Sequence, residues 1–251
     1  MSIAGMTPTQ MVQPQPPAQT TSGASQRAVA PAWHTVVVLI VLLGFSLAGA
    51  LGTNRMLTSG AHGRVYTYLL VIAFEWVLVA FIWFGVSRRG VTMSELVGGS
   101  WPRPAVFFRD LGIAVAFLIV CGLGVVNGLG YLLKAAPPQV MRNVFPHGPT
   151  EIVLWLLMSL NAGFCEEVIF RGYLQRQLAA LTQAAAGGIV LQGIAFGLGH
   201  GYQGWKLMLI ISVYGVLFGL LARWRRSLRP GMITHFVQDG LGGLLARYLV
   251  G

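Results

Sequence analysis

Residues 33–52 read WHTVVVLIVLLGFSLAGALG, an apolar run without one Asp, Glu, Lys or Arg. An α-helix needs about 20 such residues to cross the hydrocarbon core of a bilayer. Inside lipid a backbone has no water to bond to, so the segment must satisfy its own N–H and C=O groups, as a helix does. Six further apolar runs follow, at 65–86, 111–133, 150–181, 184–200, 205–222 and 232–250. The last is the weakest, because His235, Asp239 and Arg247 interrupt it. The expected fold is all-α: a polytopic transmembrane bundle of about seven to eight helices, the eighth being a short or re-entrant segment.

The composition agrees. Of the 251 residues, 55% are hydrophobic and 10% charged, against about 25% charged in soluble domains, and the mean hydropathy is +0.68. This length holds one membrane domain, residues 32–251, and a tail. Residues 1–31 are rich in Pro, Gln, Ser and Thr with Arg27 as their single charge. They carry too little apolar surface to fold, and a disordered tail is expected there. No short basic start leads directly into an apolar run, so the first run is read as an anchor rather than a signal peptide. Cys121 and Cys165 both lie in apolar segments and form neither a disulfide framework nor a zinc spacing. Beside two glutamates, Cys165 is read as a small packing residue rather than a nucleophile.

The net charge is +10, from 17 basic and 7 acidic residues. The basic residues fall mostly between the apolar runs, which is the pattern of loops on a membrane rather than of a nucleic-acid surface. One set of loops holds Arg88, Arg89, Arg103, Arg109, Arg176, Arg223, Arg225, Arg226 and Arg229, with Arg27 in the tail. The other holds Arg55, Arg64, Lys134, Arg142 and Lys206. The heavier set belongs inside, which makes the amino terminus cytoplasmic.

An ionisable residue at membrane depth is costly and is a functional candidate by default. Four of the seven acids fall in the apolar runs or their continuations: Glu75, Glu166, Glu167 and Asp239. His200 and His235 accompany the last three. Adjacent helical residues point about 100° apart, so Glu166 and Glu167 should do different jobs. Arg171 follows Glu167 by four residues, the favourable spacing for a helical ion pair. That leaves Glu166 to face a cavity. A helical hairpin turning near Gln183 would bring Glu166 level with His200, where the two could hold and deprotonate a water molecule. His235 and Asp239 lie at i, i+4 on one face of the last helix, placed to stabilise an oxyanion, orient the water or bind a metal. A sixth helix that crosses fully would carry His235 away from His200 at 1.5 Å per residue. Either that helix is tilted or broken, or the seventh enters the membrane deeper than its apolar run suggests.

The order Glu166-Glu167-x-x-x-Arg171, Phe196-x-x-x-His200, His235-x-x-x-Asp239 resembles the signature of the CPBP family, also called Abi. This group comprises CAAX prenyl proteases and bacteriocin-processing or immunity proteins. The resemblance covers about residues 151–249. Each motif is unspecific alone; the three in order are not. The resemblance implies an intramembrane endopeptidase with its catalytic core at about 150–250. Glu166 would be the base, His200 its partner on the water, and His235 and Asp239 catalytic groups that hold the water or the oxyanion. Glu167, Arg171 and Phe196 would be supporting. Many members carry Asn where this chain has Asp239, and an aspartate donates a hydrogen bond only when protonated. No organic cofactor and no nucleic acid is implied; the partners would be the lipid bilayer and a peptide or membrane-protein substrate.

Three rival readings stand beside this one. The same fold could serve as a non-catalytic scaffold or immunity protein. Glu166, His200, His235 and Asp239 are acceptable zinc ligands for a membrane hydrolase, although no His-Glu-x-x-His helix is present. Glu75, in mid-run, could mark an ion path or pair with Arg55 or Arg64, although no repeat supports a transporter.

Overall fold

The computed structural model describes residues 27–57, 60–136 and 143–249. The greater part of the expected tail, residues 1–26, and Arg142 lie outside the described residues. The apolar runs become helices: α1 Ala32–Leu57, α2 Gly60–Ser87, α4 Pro104–Leu132, α5 Pro149–Thr182, α6 Ala185–Gly199, α7 Trp205–Arg225 and α8 Arg229–Leu249, with the short α3 Met93–Val97 between α2 and α4. Local chemistry sets several ends. Pro104 and Pro149 open α4 and α5, where a missing N–H costs nothing. Thr92 and Glu95 form a capping box at the start of α3. Gln183, with φ 52°, closes the α5–α6 hairpin at the position expected for the turn.

Among the described residues, five helices are long and apolar enough to span a bilayer: Ala32–Gly52 within α1, then α2, α4, α5 and α7. The other two runs differ. Helix α6 has 15 residues, about 22 Å at 1.5 Å per residue and so shorter than the hydrocarbon core. Helix α8 forms over its full run but is too polar to count as a span by composition. The protein is an integral membrane protein on the strength of the five.

The bundle is apolar outside and polar within. Ile40, Val77, Ile119 and Leu160 are all more than half exposed, whereas Glu75, Glu167, Arg171, Gln192 and His235 are buried. In lipid the outward apolar face gains nothing from further burial, so close backbone approach and interhelical hydrogen bonds hold the helices together. At the α6–α7 crossing a β-carbon on Gly215 would meet the Gly193 Cα at 2.9 Å. There Gln192 Nε2 donates to the Gly215 carbonyl at 2.8 Å.

Helix α8 packs chiefly along α5 and then α4, and only slightly along its predecessor α7. Helix α7 is one unbroken helix, and α8 leaves it to return through the bundle beside α5. The arginine-bearing loops meet at one end. Arg176 donates to the Glu95 and Leu96 carbonyls at 2.8 and 3.1 Å, and the Leu228 N–H to the Val97 carbonyl at 2.9 Å. Asp110, fully buried there, takes Arg109, Arg225 and Arg229 at 3.2–3.4 Å and the Trp101 indole N–H at 3.1 Å. Just before α1, Val29 and Ala30 are buried, and Gln177 holds them through three backbone hydrogen bonds.

Candidate active site

Helix α5 carries the centre of the site where its winding changes. From Glu167 to Leu174 the backbone is π-helical, with i→i+5 hydrogen bonds and a widened turn, a feature that recurs at functional sites. Glu167 and Arg171 form an ion pair of 2.8 Å with both side chains fully buried. The Arg171 guanidinium lies 4.3 Å from the Phe196 ring centroid and 4.7 Å from that of Phe218, so aromatic faces replace water around the charge.

His235, on α8, stands between the two glutamates. Its Nε2 is 3.5 Å from Glu166 Oε2 and 3.4 Å from Asp239 Oδ2, and its Nδ1 is 3.4 Å from Glu167 Oε1. Adjacent residues on α5 therefore reach opposite nitrogens of one ring, and a proton on either nitrogen meets a carboxylate. The two acids are otherwise unlike. Glu167 is sealed against Arg171, whereas the Glu166 side chain has no arginine within salt-bridge distance among the described residues and keeps 17% exposure. Glycine makes the approach feasible. A β-carbon on Gly163 would sit 2.9 Å from the Met232 carbonyl oxygen and 3.0 Å from the Phe236 nitrogen, both backbone atoms of α8. Trp155 then ties α8 down through its indole N–H to the Asp239 carbonyl at 3.0 Å.

The sequence expectation for His200 is a partner to Glu166 across a water rather than a direct contact. Glu166 has His235, not His200, in direct contact. His200 closes α6, packed on Phe196 at 4.8 Å between ring centroids and facing Tyr202 at 6.2 Å. Phe196 also meets His235 edge-on at 6.0 Å, so one phenyl ring separates the two imidazoles. The His200 Nδ1 lies 2.8 Å from the Phe196 carbonyl. A carbonyl only accepts, so Nδ1 carries the proton, and in the neutral ring Nε2 is the acceptor.

Three side chains join the site without having been assigned to it. Glu75, buried on α2, reaches across to Glu166. It accepts a hydrogen bond from Asn161 Nδ2 on α5, whose Oδ1 lies 3.7 Å from the Cys165 sulfur. The expected alternative, pairing of Glu75 with Arg64, does not occur: Arg64 holds Glu151 through two hydrogen bonds of 2.9 and 3.0 Å, and the side chain of Arg55 lies outside those described. Tyr202, in the turn after α6, is the third. Burial pushes its phenol up to about 12, opposed by the Gln203 hydrogen bond and reinforced by the charges of Glu166, Asp239 and Glu75. It remains a protonated donor at neutral pH. Depth in an apolar run was the sequence signal for Glu75, whereas Asn161 and Tyr202 had none. Among the described residues, no three His, Cys, Asp or Glu side chains are arranged to hold a metal ion.

Neither a curated protein nor a solved structure matches this chain. A family model does: the Rce1-like family, type II CAAX prenyl endopeptidases, over residues 148–241. The matched stretch holds the Glu166, Glu167, Arg171, His200, His235 and Asp239 constellation and leaves Glu75 outside. Over that stretch the chain is similar to the Rce1-like family, the CAAX protease branch of the group that its three motifs resemble.

Proposed function

We propose that this protein is an intramembrane endopeptidase that hydrolyses a peptide bond with a water molecule activated by Glu166 and His200. The observation that carries the reading is the asymmetry of the glutamate pair: Glu167 is fully buried and neutralised by Arg171, while Glu166 has no arginine within salt-bridge distance among the described residues and its partly exposed side chain leaves a carboxylate oxygen for solvent. A water seated on that oxygen, with the Nε2 of His200 as a second acceptor, would give its proton to Glu166 as its oxygen attacks the scissile carbonyl. The C–O bond forms, and the oxyanion draws on N–H and O–H donors facing the cleft, with His235 and Tyr202 the candidates. Glu166 then returns the proton to the leaving nitrogen as the C–N bond breaks. Glu167, Arg171 and Asp239 hold His235 in place, and Phe196 spaces it from His200. The substrate class is a peptide or membrane-protein segment, with prenylated CAAX tails suggested by the family. The arginine-rich end is assigned to the cytoplasm, which puts the amino terminus inside.

The test is cleavage of a peptide library, prenylated and unprenylated, by purified protein in detergent. Wild type is compared with Glu166→Gln and His200→Ala, each with and without chelator. Cleavage that is lost in both variants and indifferent to chelator supports the reading. Cleavage abolished by chelator and restored by zinc replaces it with a metal hydrolase. A biological function that survives both substitutions leaves a scaffold.

A further inference from the structure

Away from the active site, the arginine-rich end of the bundle carries an open cavity of about 360 Å³. Arg27, Arg176, Arg223 and Arg226 line it, Arg171 and Gln175 form part of its wall, and among the described residues no Asp or Glu lines it. We propose that this cavity binds a phosphate-bearing anion, independently of the peptidase reading.

Four guanidinium groups from three separate stretches of chain border one space without a described carboxylate among them. Their mutual repulsion favours an anion in the space, and phosphate suits the planar fork of arginine. Two of them are held from the surrounding chain. Gln177 pins Val29 and Ala30, and so keeps Arg27 at the rim. Arg176 spends only its Nη2 on the Glu95 and Leu96 carbonyls. The acid nearest to it, Glu95, is occupied with Thr92 in the α3 capping box. Arg226 closes α7 in the left-handed region at φ 49°, a conformation costly for any residue with a β-carbon.

The wall supplies a second observation. Arg171 Nε and Gln175 Oε1 are buried and have no hydrogen-bond partner among the described residues. Both residues line the cavity, and an unpaired buried polar atom calls for a partner such as a water or a ligand group. The donor fits a phosphate oxygen, and the acceptor fits a hydroxyl or a water beside it. Two sources carry this chemistry: the headgroup of an anionic lipid and a free phosphate compound. The same Arg171 pairs with Glu167 on its other side, so an occupant would rest against the back of the ion pair that steadies His235.

The full chain is purified in detergent, and retained lipid is counted by native mass spectrometry after offering phosphatidylglycerol or phosphatidylcholine. In a second arm, inorganic phosphate and glycerol 3-phosphate are titrated into protein in phosphatidylcholine nanodiscs. Wild type is compared with Arg223→Gln/Arg226→Gln and with a control, Arg88→Gln/Arg89→Gln, whose arginines are exposed and do not line the cavity. At about fivefold per arginine near an anionic surface, the cavity variant should lose about thirtyfold in affinity and the control little. Retention of one phosphatidylglycerol that is lost in the cavity variant identifies a lipid site. Saturable phosphate binding lost in the same variant identifies a soluble ligand. Equal loss in both double variants, or no binding of either anion, overturns the proposal. Should the cavity variant unfold at a lower temperature than wild type, Arg27→Gln, outside the helices, is read in its place by the same criteria.

Discussion

Replacing Arg171 by methionine removes the only countercharge that Glu167 has within salt-bridge distance among the described residues, apart from the imidazole of His235. Both members of the pair are fully buried at 2.8 Å, so no solvent screening discounts the effect. Breaking such a pair costs about 3–5 kcal/mol, because the surviving charge stays desolvated and alone. Loss of the guanidinium from the Phe196 and Phe218 faces adds about 1 kcal/mol. We therefore expect Arg171→Met to destabilise the protein by about 4–6 kcal/mol, and Glu167→Gln/Arg171→Met to recover a large part of that, since the double variant leaves no orphaned charge. The assay is reversible unfolding in mixed detergent and SDS micelles, followed by circular dichroism over a double-mutant cycle. An Arg171→Met variant within about 1 kcal/mol of wild type, the range of an exposed pair, would refute the reasoning. So would strict additivity of the two substitutions.

Two further outcomes are expected. Gly163→Ala places a methyl group 2.9–3.0 Å from backbone atoms of α8, which cannot turn aside as a side chain can; it should cost about 1–3 kcal/mol in the same unfolding assay, and cleavage should fall as His235 is displaced from Glu166. Glu75→Gln keeps an acceptor for the Asn161 amide and should remain close to wild type in stability, whereas Glu75→Leu should lose about 1–3 kcal/mol by orphaning that amide. Equal stability of the Gln and Leu variants would remove Glu75 from the network.

Local pattern was legible in the order of the residues. The apolar runs announced the membrane helices because lipid leaves the backbone no other partner. The i, i+4 spacings of Glu167 with Arg171 and of His235 with Asp239 lie within single helices, where pitch alone decides who can meet. The α5–α6 turn at Gln183 was legible for the same reason, since the chain there changes from one apolar run to the next.

What crosses between helices was not. Periodicity states which residues share a face of one helix but leaves open how that face is rotated against its neighbours. The level placing of Glu166 with His200 followed from counting residues about a turn, but the direct contact of that carboxylate with His235 comes from the path of α8 along α5, which no count along the chain gives. Glu75 was conspicuous by its depth, but its partner Asn161 lies 86 residues away along the chain. The amino acids alone determined that acids and imidazoles would be buried in a helical bundle in lipid. Which acid meets which imidazole was decided only by tertiary packing, because it depends on backbone approaches such as that of Gly163 to α8, and those are properties of two helices together.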